Sequence, residues 1–143
     1  MAKKAQAATV KMTDKARYNY LLAVLMEHND QEYQKKCAET FVEGDFEGTA
    51  YKFNISEDSR RVLMDSQCEL FDGNAKEVSF EDDAGTKFTT SSPEAIGDIL
   101  MKLEDENRPL EDEHFKEFCK ITDKANTLEQ LEAMAKEAGV GQE

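Results

Sequence analysis

Residues 43–61 read Glu-Gly-Asp-Phe-Glu-Gly-Thr-Ala-Tyr-Lys-Phe-Asn-Ile-Ser-Glu-Asp-Ser-Arg-Arg, and they contain the most specific local pattern of the chain. Gly44 and Gly48 lie on either side of a phenylalanine, and glycine allows the backbone conformations that turns require. Apolar and polar side chains alternate over 51–55, which is the period of a half-buried strand. Ser56 is a candidate helix N-cap, and two acids follow it in the first turn, where the helix dipole favours them. The stretch therefore predicts a short strand pair followed directly by a capped helix.

The chain before this stretch predicts an arm and a long helix. Residues 1–12 are rich in Ala and Lys and lack apolar periodicity, which predicts a flexible basic arm. Thr13 is a candidate N-cap for a helix over 14–41, because apolar side chains recur along it at helical spacing. The polar run at 28–30 leaves open the alternative of two shorter helices joined there.

Helix and hairpin alternate in the middle of the chain. We expect a second helix over 56–70 and then a β-hairpin, in which 78–80 and 87–90 flank the turn residues 82–85, Asp-Asp-Ala-Gly. Local antiparallel hairpins between helices indicate an α+β fold rather than a parallel α/β sheet. The predicted fold has helices interleaved with two short antiparallel β-hairpins and a helical C-terminal part.

The C-terminal part predicts three helices. Ser92 caps the first of them, which we expect to end at Arg108-Pro109 because the residue before a proline disfavours helix. Another helix is expected over 111–124. The capping box at 127–130 begins the last one, which ends at Gly139. The side chains expected to be buried by the helix over 111–124 are Phe115, Phe118, Cys119 and Ile121.

Length and composition set the class of protein. A chain of 143 residues has the length of one compact domain. We therefore expect residues 13–139 to form a single compact domain and residues 140–143 to be a frayed tail. No apolar run approaches the roughly 20 residues that span a bilayer, so we expect no membrane partner. The three cysteines are an odd number and lie far apart, which argues against a disulfide framework and for a reducing compartment.

Charge is placed unevenly along the chain. The net charge is −13, yet the first 20 residues contain five basic residues and one acidic residue. An acidic body repels the phosphate backbone, so we expect no direct binding to nucleic acid. The basic arm could pair with the acidic body, with a neighbouring copy or with an acidic partner. The alternative interpretation is a solvated acidic surface that keeps the protein soluble.

The sequence contains no recognisable catalytic or metal-binding pattern. His28 and His114 lie among acids without further ligands at metal spacing, so we interpret them as exposed helical residues. Residues 43–54 match a calcium loop at positions one, three, five and six, but Asn54 at position twelve cannot supply a bidentate carboxylate. No phosphate loop or nucleophile elbow occurs. We therefore expect no enzymatic activity, no metal and no cofactor.

Five motifs, which together cover about seven-tenths of the chain, resemble those of a known type of domain. These motifs are Phe46-x-x-x-x-Tyr51-x-Phe53, Ser56-x-Asp58-Ser59-Arg60, the hairpin sequence of 78–88, Ser92-Pro93-Glu94 and the leucine-rich 125–132. In this order they resemble a small domain of unknown function found in tailed bacteriophages and prophages, often near tail-fibre genes or inside tail-fibre assembly proteins. The resemblance implies a phage origin and a role in tail or fibre structure or assembly, and it carries no catalytic residue.

The first functional hypothesis is a phage structural or assembly protein that acts through protein–protein contacts, as a virion accessory component or as a chaperone for tail or fibre parts. Its partners would be phage structural proteins or further copies of itself, in the host cytoplasm during infection or in the virion. The predicted partner-binding residues combine the basic arm with an apolar seam on the first helix: Lys3, Lys4, Lys11, Lys15, Arg17, Tyr18, Leu21, Leu22 and Leu25.

The second hypothesis is a phage-encoded acidic inhibitor of a host nucleic-acid enzyme or defence complex. An acidic face would occupy a basic channel in the manner of a DNA mimic. A solvated charge run is the plainer interpretation of such residues. The acids that could form this face are Glu69, Asp72, Glu77, Glu81, Asp82, Asp83, Glu104, Asp105, Glu106, Glu111, Asp112 and Glu113.

Overall fold

The structure, a computed structural model, describes residues 12–141. The helices in these residues are α1 (Asp14–Glu39), α2 (Glu57–Phe71), α3 (Pro93–Ile121) and α4 (Leu128–Ala138). The strands are β1 (Phe41–Phe46), β2 (Thr49–Asn54), β3 (Val78–Glu81) and β4 (Lys87–Thr90). Two antiparallel hairpins, β1–β2 and β3–β4, alternate with helices, which confirms the predicted α+β class.

Every helix in the described residues begins at a hydroxyl side chain that accepts a hydrogen bond from the backbone N–H three residues later. α4 has a full capping box, because the Gln130 side chain also bonds the N–H of its capping threonine, and it ends at Gly139 with φ of 74°. The four predicted caps that the structure confirms are Thr13, Ser56, Ser92 and Thr127.

The two longest described helices test the predicted helix boundaries. α1 runs without a break through residues 28–30, so the continuous helix is confirmed and the two-helix alternative is wrong. α3 also continues, through Pro109, and the predicted helix end at that residue is wrong. Proline removes one backbone hydrogen bond, at a cost of about 3 kcal/mol. Burial along the same helix offsets that cost, because Ile99 and Leu103 before the proline and Ile121 after it are all at most 2% exposed.

The first hairpin closes through a two-residue turn. Phe46 pairs with Thr49, and the turn residues Glu47 and Gly48 have φ of 49° and 92°, the conformation that matches the twist of the flanking strands. Gly44 does not belong to a turn, contrary to the prediction. It lies in β1 opposite Tyr51, whose hydroxyl oxygen would be 2.6 Å from a Cβ at this position. Gly44 is therefore required by close packing.

Two carboxylates of the second hairpin accept hydrogen bonds from the backbone of the first hairpin. Asp82 Oδ2 accepts a hydrogen bond from the N–H of Lys52 at 2.9 Å, and Asp83 Oδ2 accepts one from the N–H of Asn54 at 2.6 Å. The N–H of Asp83 in turn donates to the carbonyl of Lys52 at 3.0 Å. These bonds cover the edge of β2 that faces away from β1.

The chain divides into two compact units. Unit 2, residues 32–114, has an aromatic core in which Phe46, Phe80 and Phe88 contact one another edge-to-face or stacked, with ring centroids 5.6 to 5.7 Å apart. Unit 1, described here at 12–31 and 115–141, has its own smaller core. The buried residues of that core are Leu21, Leu25, Ile121, Leu131 and Ala135. The prediction that 13–139 form a single domain stays a prediction.

The end of the described chain is held in unit 1. The N–H of Val140 donates to the carbonyl of Ala135 at 2.9 Å, and its side chain packs against the core of that unit. Gly141 follows, and its carbonyl accepts a hydrogen bond from Arg17 at 3.1 Å. The predicted frayed tail at 140–143 stays a prediction, and 142–143 lie outside the described residues.

Candidate interaction surfaces

The predicted partner-binding residues of the arm fall into three groups. Lys3, Lys4 and Lys11 lie outside the described residues, and Lys15 is exposed on the first turn of α1. Arg17 is engaged within unit 1, where its guanidinium makes two 3.0 Å hydrogen bonds to the carboxylate of Glu132. These bonds hold the pKa of the Glu132 carboxyl below its usual range.

The predicted apolar seam is mostly internal. Leu21 and Leu25 are 0% and 3% exposed in the core of unit 1, so they are not available to a partner and the prediction is corrected at these two positions. Tyr18 and Leu22 are half-buried and pack against the same core. Apolar spacing on a helix identifies the buried side, and here the side is buried within the unit itself.

The predicted acidic face is reduced by bonds within unit 2. Asp82 is only 7% exposed, and its carboxylate accepts backbone hydrogen bonds, as that of Asp83 does. Ion pairs engage three further acids, with N···O distances of 2.6 to 3.5 Å. These pairs are Lys36–Glu113, Arg60–Glu104 and Arg108–Asp105. The Lys36 ammonium lowers the pKa of the Glu113 carboxyl.

A buried polar cluster in unit 2 was not predicted. Asn107 is 0% exposed, and its Oδ1 accepts hydrogen bonds from the Tyr33 hydroxyl at 2.8 Å and from the Cys37 thiol at 3.3 Å. Burial raises the pKa of both donors, so the thiol stays protonated at neutral pH and is a poor nucleophile. In residues 12–141, Asn107 Nδ2 and Arg60 Nε are buried without a hydrogen-bond partner. An asparagine inside an acidic helix gives no sequence signal for such a role.

Exposed aromatic side chains on α3 form the surface that the sequence analysis missed. Phe115 and Phe118 are 63% and 37% exposed, and their rings stack with centroids 6.5 Å apart. Cys119 beside them is also exposed. The predicted burial of these three residues is wrong, because it assumed a new helix after the proline. In the continuous helix the buried stripe runs through 96, 99, 103 and 121, so 115 and 119 lie off that stripe and 118 lies at its edge.

The two histidines are half-buried rather than exposed, and His114 lies against the ring of Tyr33, with centroids 4.8 Å apart. Among the described residues, no group of three His, Cys, Asp or Glu side chains could hold a metal ion. Within residues 12–141 no helix is long and apolar enough to cross a membrane.

Comparison with known proteins adds no relative. No protein-family model, no curated protein and no solved structure matches this chain. The resemblance to the phage domain therefore stays a prediction.

Proposed function

We propose that this protein is a bacteriophage structural or assembly protein, either a virion accessory component or a chaperone for tail or fibre parts, that acts through protein–protein contacts. The observation that carries the proposal is the exposed, stacked pair of Phe115 and Phe118 on α3. The resemblance to the phage domain supports the biological setting, and the aromatic pair supports the mode of action.

The exposure of two adjacent phenyl rings to water is unfavourable in free energy. Fully burying one such side chain contributes about 1.5 to 3 kcal/mol, so covering the exposed parts of Phe115 and Phe118 contributes about 2 kcal/mol in total. Aromatic residues are enriched at the centres of protein interfaces, because they bury a large area at a small cost in conformational entropy. The pair is therefore suited to be an anchor inside a larger contact.

The charge around the pair indicates what kind of surface would cover it. Exposed charges of both signs lie within four residues of the pair along α3, and they include Glu111, Asp112, Lys116 and Lys120. A partner that presents an apolar pocket with both acidic and basic residues at its rim would pair with these side chains.

The test is an affinity pull-down from phage-infected cells, with the eluate identified by mass spectrometry. The double variant Phe115→Ser/Phe118→Ser removes the pair, and Met64→Ser/Phe71→Ser is its matched control, because Met64 and Phe71 are exposed to 53% and 63% on α2. We expect the wild-type chain and the control to recover tail, fibre or capsid proteins, and the Phe115/Phe118 variant to lose them. Failure of the wild type to recover phage proteins would overturn the proposal.

The second candidate, an acidic inhibitor of a host nucleic-acid enzyme or defence complex, is favoured by one observation. The six acids at 104–106 and 111–113 are all exposed on α3, although three of them are paired with basic side chains. This candidate predicts recovery of a basic host protein in the same experiment. It also predicts that the binding is lost at high salt, since exposed charges are screened.

A further inference from the structure

The first hairpin has two outer edges, and the hydrogen-bond pattern fixes which groups each one presents. In a hairpin with a two-residue turn, the pair that closes the turn, here Phe46 and Thr49, exchanges hydrogen bonds. Hydrogen-bonded and non-hydrogen-bonded pairs alternate along the hairpin. Starting from the residue before Phe46, every second residue of β1 therefore directs its backbone N–H and C=O groups away from β2. The residues that do so are Phe41, Glu43 and Asp45.

The same alternation is visible on β2. The N–H groups of Lys52 and Asn54 point away from β1, and they donate to Asp82 and Asp83. The outer edge of β2 is thus closed by carboxylates. Among the described residues, the outward backbone groups of Glu43 and Asp45 have no such partner, so the outer edge of β1 is open.

Two of the three exposed side chains along the open edge are acidic, and the third is Phe41. Val42 and Phe46 are buried, and the alternating positions 43 and 45 carry Glu43 and Asp45 on the solvent side of the sheet. A strand added to this edge would place its own alternating side chains about 5 Å from these two carboxylates. Like charges at that separation repel, whereas opposite charges attract.

We propose that the outer edge of β1 binds an extended segment of a partner protein by strand addition, and that this segment carries Lys or Arg at alternate positions. Backbone hydrogen bonds to the groups of 43 and 45 supply affinity, and the two carboxylates select a basic strand. Acids on an edge strand also repel acidic strands, including further copies of this acidic chain, and this prevents edge-to-edge association.

This inference deepens the proposed function, because it rests on action through protein–protein contacts and names one partner chemistry. It concerns unit 2 alone and does not involve Phe115 or Phe118 of unit 1. The pull-down with the phenylalanine variants and the experiment below can therefore fail independently of each other.

The probe is a nine-residue synthetic peptide that alternates lysine and threonine, with both ends blocked. It is titrated into the full ¹⁵N-labelled chain, while amide hydrogen exchange is followed residue by residue. We expect slower exchange, by about tenfold at saturating peptide, at the amides of Glu43 and Asp45. The amides of Lys52 and Asn54 are already hydrogen-bonded and should not change. Two control peptides, with glutamate for each lysine or proline for each threonine, should not bind.

Matched variants of the protein test the role of charge. Glu43→Lys/Asp45→Lys should weaken binding of the lysine peptide by at least about tenfold and permit binding of the glutamate peptide. Glu69→Lys/Glu106→Lys makes the same change in net charge at two exposed helical positions and should alter affinity by less than about twofold.

Three results would overturn the proposal. One is an absence of binding up to about 1 mM peptide, which corresponds to a negligible affinity for a specific contact. Another is binding that leaves the exchange of the amides of Glu43 and Asp45 unchanged. The third is protection of those two amides that rises with protein concentration in the absence of peptide, because the occupant would then be a second copy of the chain.

Discussion

The carboxylate of Asp82 accepts a hydrogen bond from the backbone N–H of Lys52 at 2.9 Å, and this bond joins the turn of the second hairpin to the edge of the first. The other oxygen of the same carboxylate accepts hydrogen bonds from the N–H groups of Ala84 and Thr86, at 3.0 and 2.8 Å, within its own turn. One buried side chain therefore fixes a turn and closes a strand edge, which leaves the outer edge of β1 as the open edge of this hairpin.

Replacing Asp82 by asparagine should destabilise the protein. An amide has one oxygen, so either the N–H of Lys52 or the two N–H groups of the turn lose their acceptor. These hydrogen bonds are part-buried, so the cost lies at the low end of the range for a donor without a partner, and we expect the free energy of unfolding to fall by about 1 kcal/mol in urea titrations followed by circular dichroism. The control Glu106→Gln, on an exposed acid, should change it by less than about 0.5 kcal/mol. Equal effects of the two changes would contradict this role of Asp82.

Gly44→Ala should also be destabilising, by about 1 to 3 kcal/mol. The added Cβ would lie 2.6 to 2.9 Å from three atoms of the Tyr51 phenol, and that side chain is 3% exposed and cannot move freely. The same substitution in a Tyr51→Leu background should cost less, because the clash is absent. A double-mutant cycle measures the difference as a coupling free energy, and a coupling near zero would show that Gly44 is required for another reason.

The three cysteines should separate into two reactive thiols and one unreactive thiol. Cys68 and Cys119 are exposed, whereas Cys37 is buried, and burial raises the pKa of its thiol. A raised pKa lowers the thiolate fraction at any given pH, and the thiolate is the nucleophile. With Ellman's reagent at pH 8, we expect two thiols per chain to react rapidly and the third to react only as the protein unfolds. Three equal rates would contradict the buried position of Cys37.

The pair of Arg17 and Glu132 should contribute to acid sensitivity. The guanidinium lowers the pKa of the Glu132 carboxyl in the folded protein, so the folded state favours the ionised form more than the unfolded state does. The resulting stabilisation is present above the unfolded pKa of about 4.3 and is lost as pH falls through the lowered pKa. The difference in Tm between the wild type and Glu132→Gln should therefore be largest near pH 7 and shrink towards pH 3. A difference that does not change with pH would exclude an ionic contribution.

Features that depend on hydrogen bonds between near neighbours in the chain could be predicted from the sequence, whereas features that depend on distant residues could not. Helix starts at Ser56 and Thr127 were predictable, because each cap bonds a backbone group three residues away. The role of Asp82 was not, because its decisive bond crosses 30 residues to Lys52. Asn107 likewise acts through donors more than 60 residues away. Such bonds depend on tertiary packing, which propensity and periodicity do not contain.

The candidate surface was missed for a related reason. A new helix that begins after Arg108-Pro109 can turn any of its sides towards the core. The predicted helix end at this point therefore allowed Phe115 and Phe118 to be assigned to the buried side. In a continuous helix the buried positions continue in register from Ile96 and Leu103, which places Phe115 away from the buried side and Phe118 at its edge, and this agrees with their exposures of 63% and 37%. A single incorrect helix boundary thus concealed the aromatic pair on which the proposed function rests.

Pro109→Ala tests the continuity of α3 directly. Pro109 is exposed inside the helix, and it cannot donate to the carbonyl of Asp105 one turn earlier. If the helix continues through this position, alanine restores that hydrogen bond and improves helix propensity, so the free energy of unfolding should rise by about 1 to 3 kcal/mol. If the helix instead ended at Arg108, alanine would add no helical hydrogen bond and the stability would stay within about 0.5 kcal/mol of the wild type. The matched change Pro93→Ala, at the first helical position where no N–H is needed, should have little effect in either case.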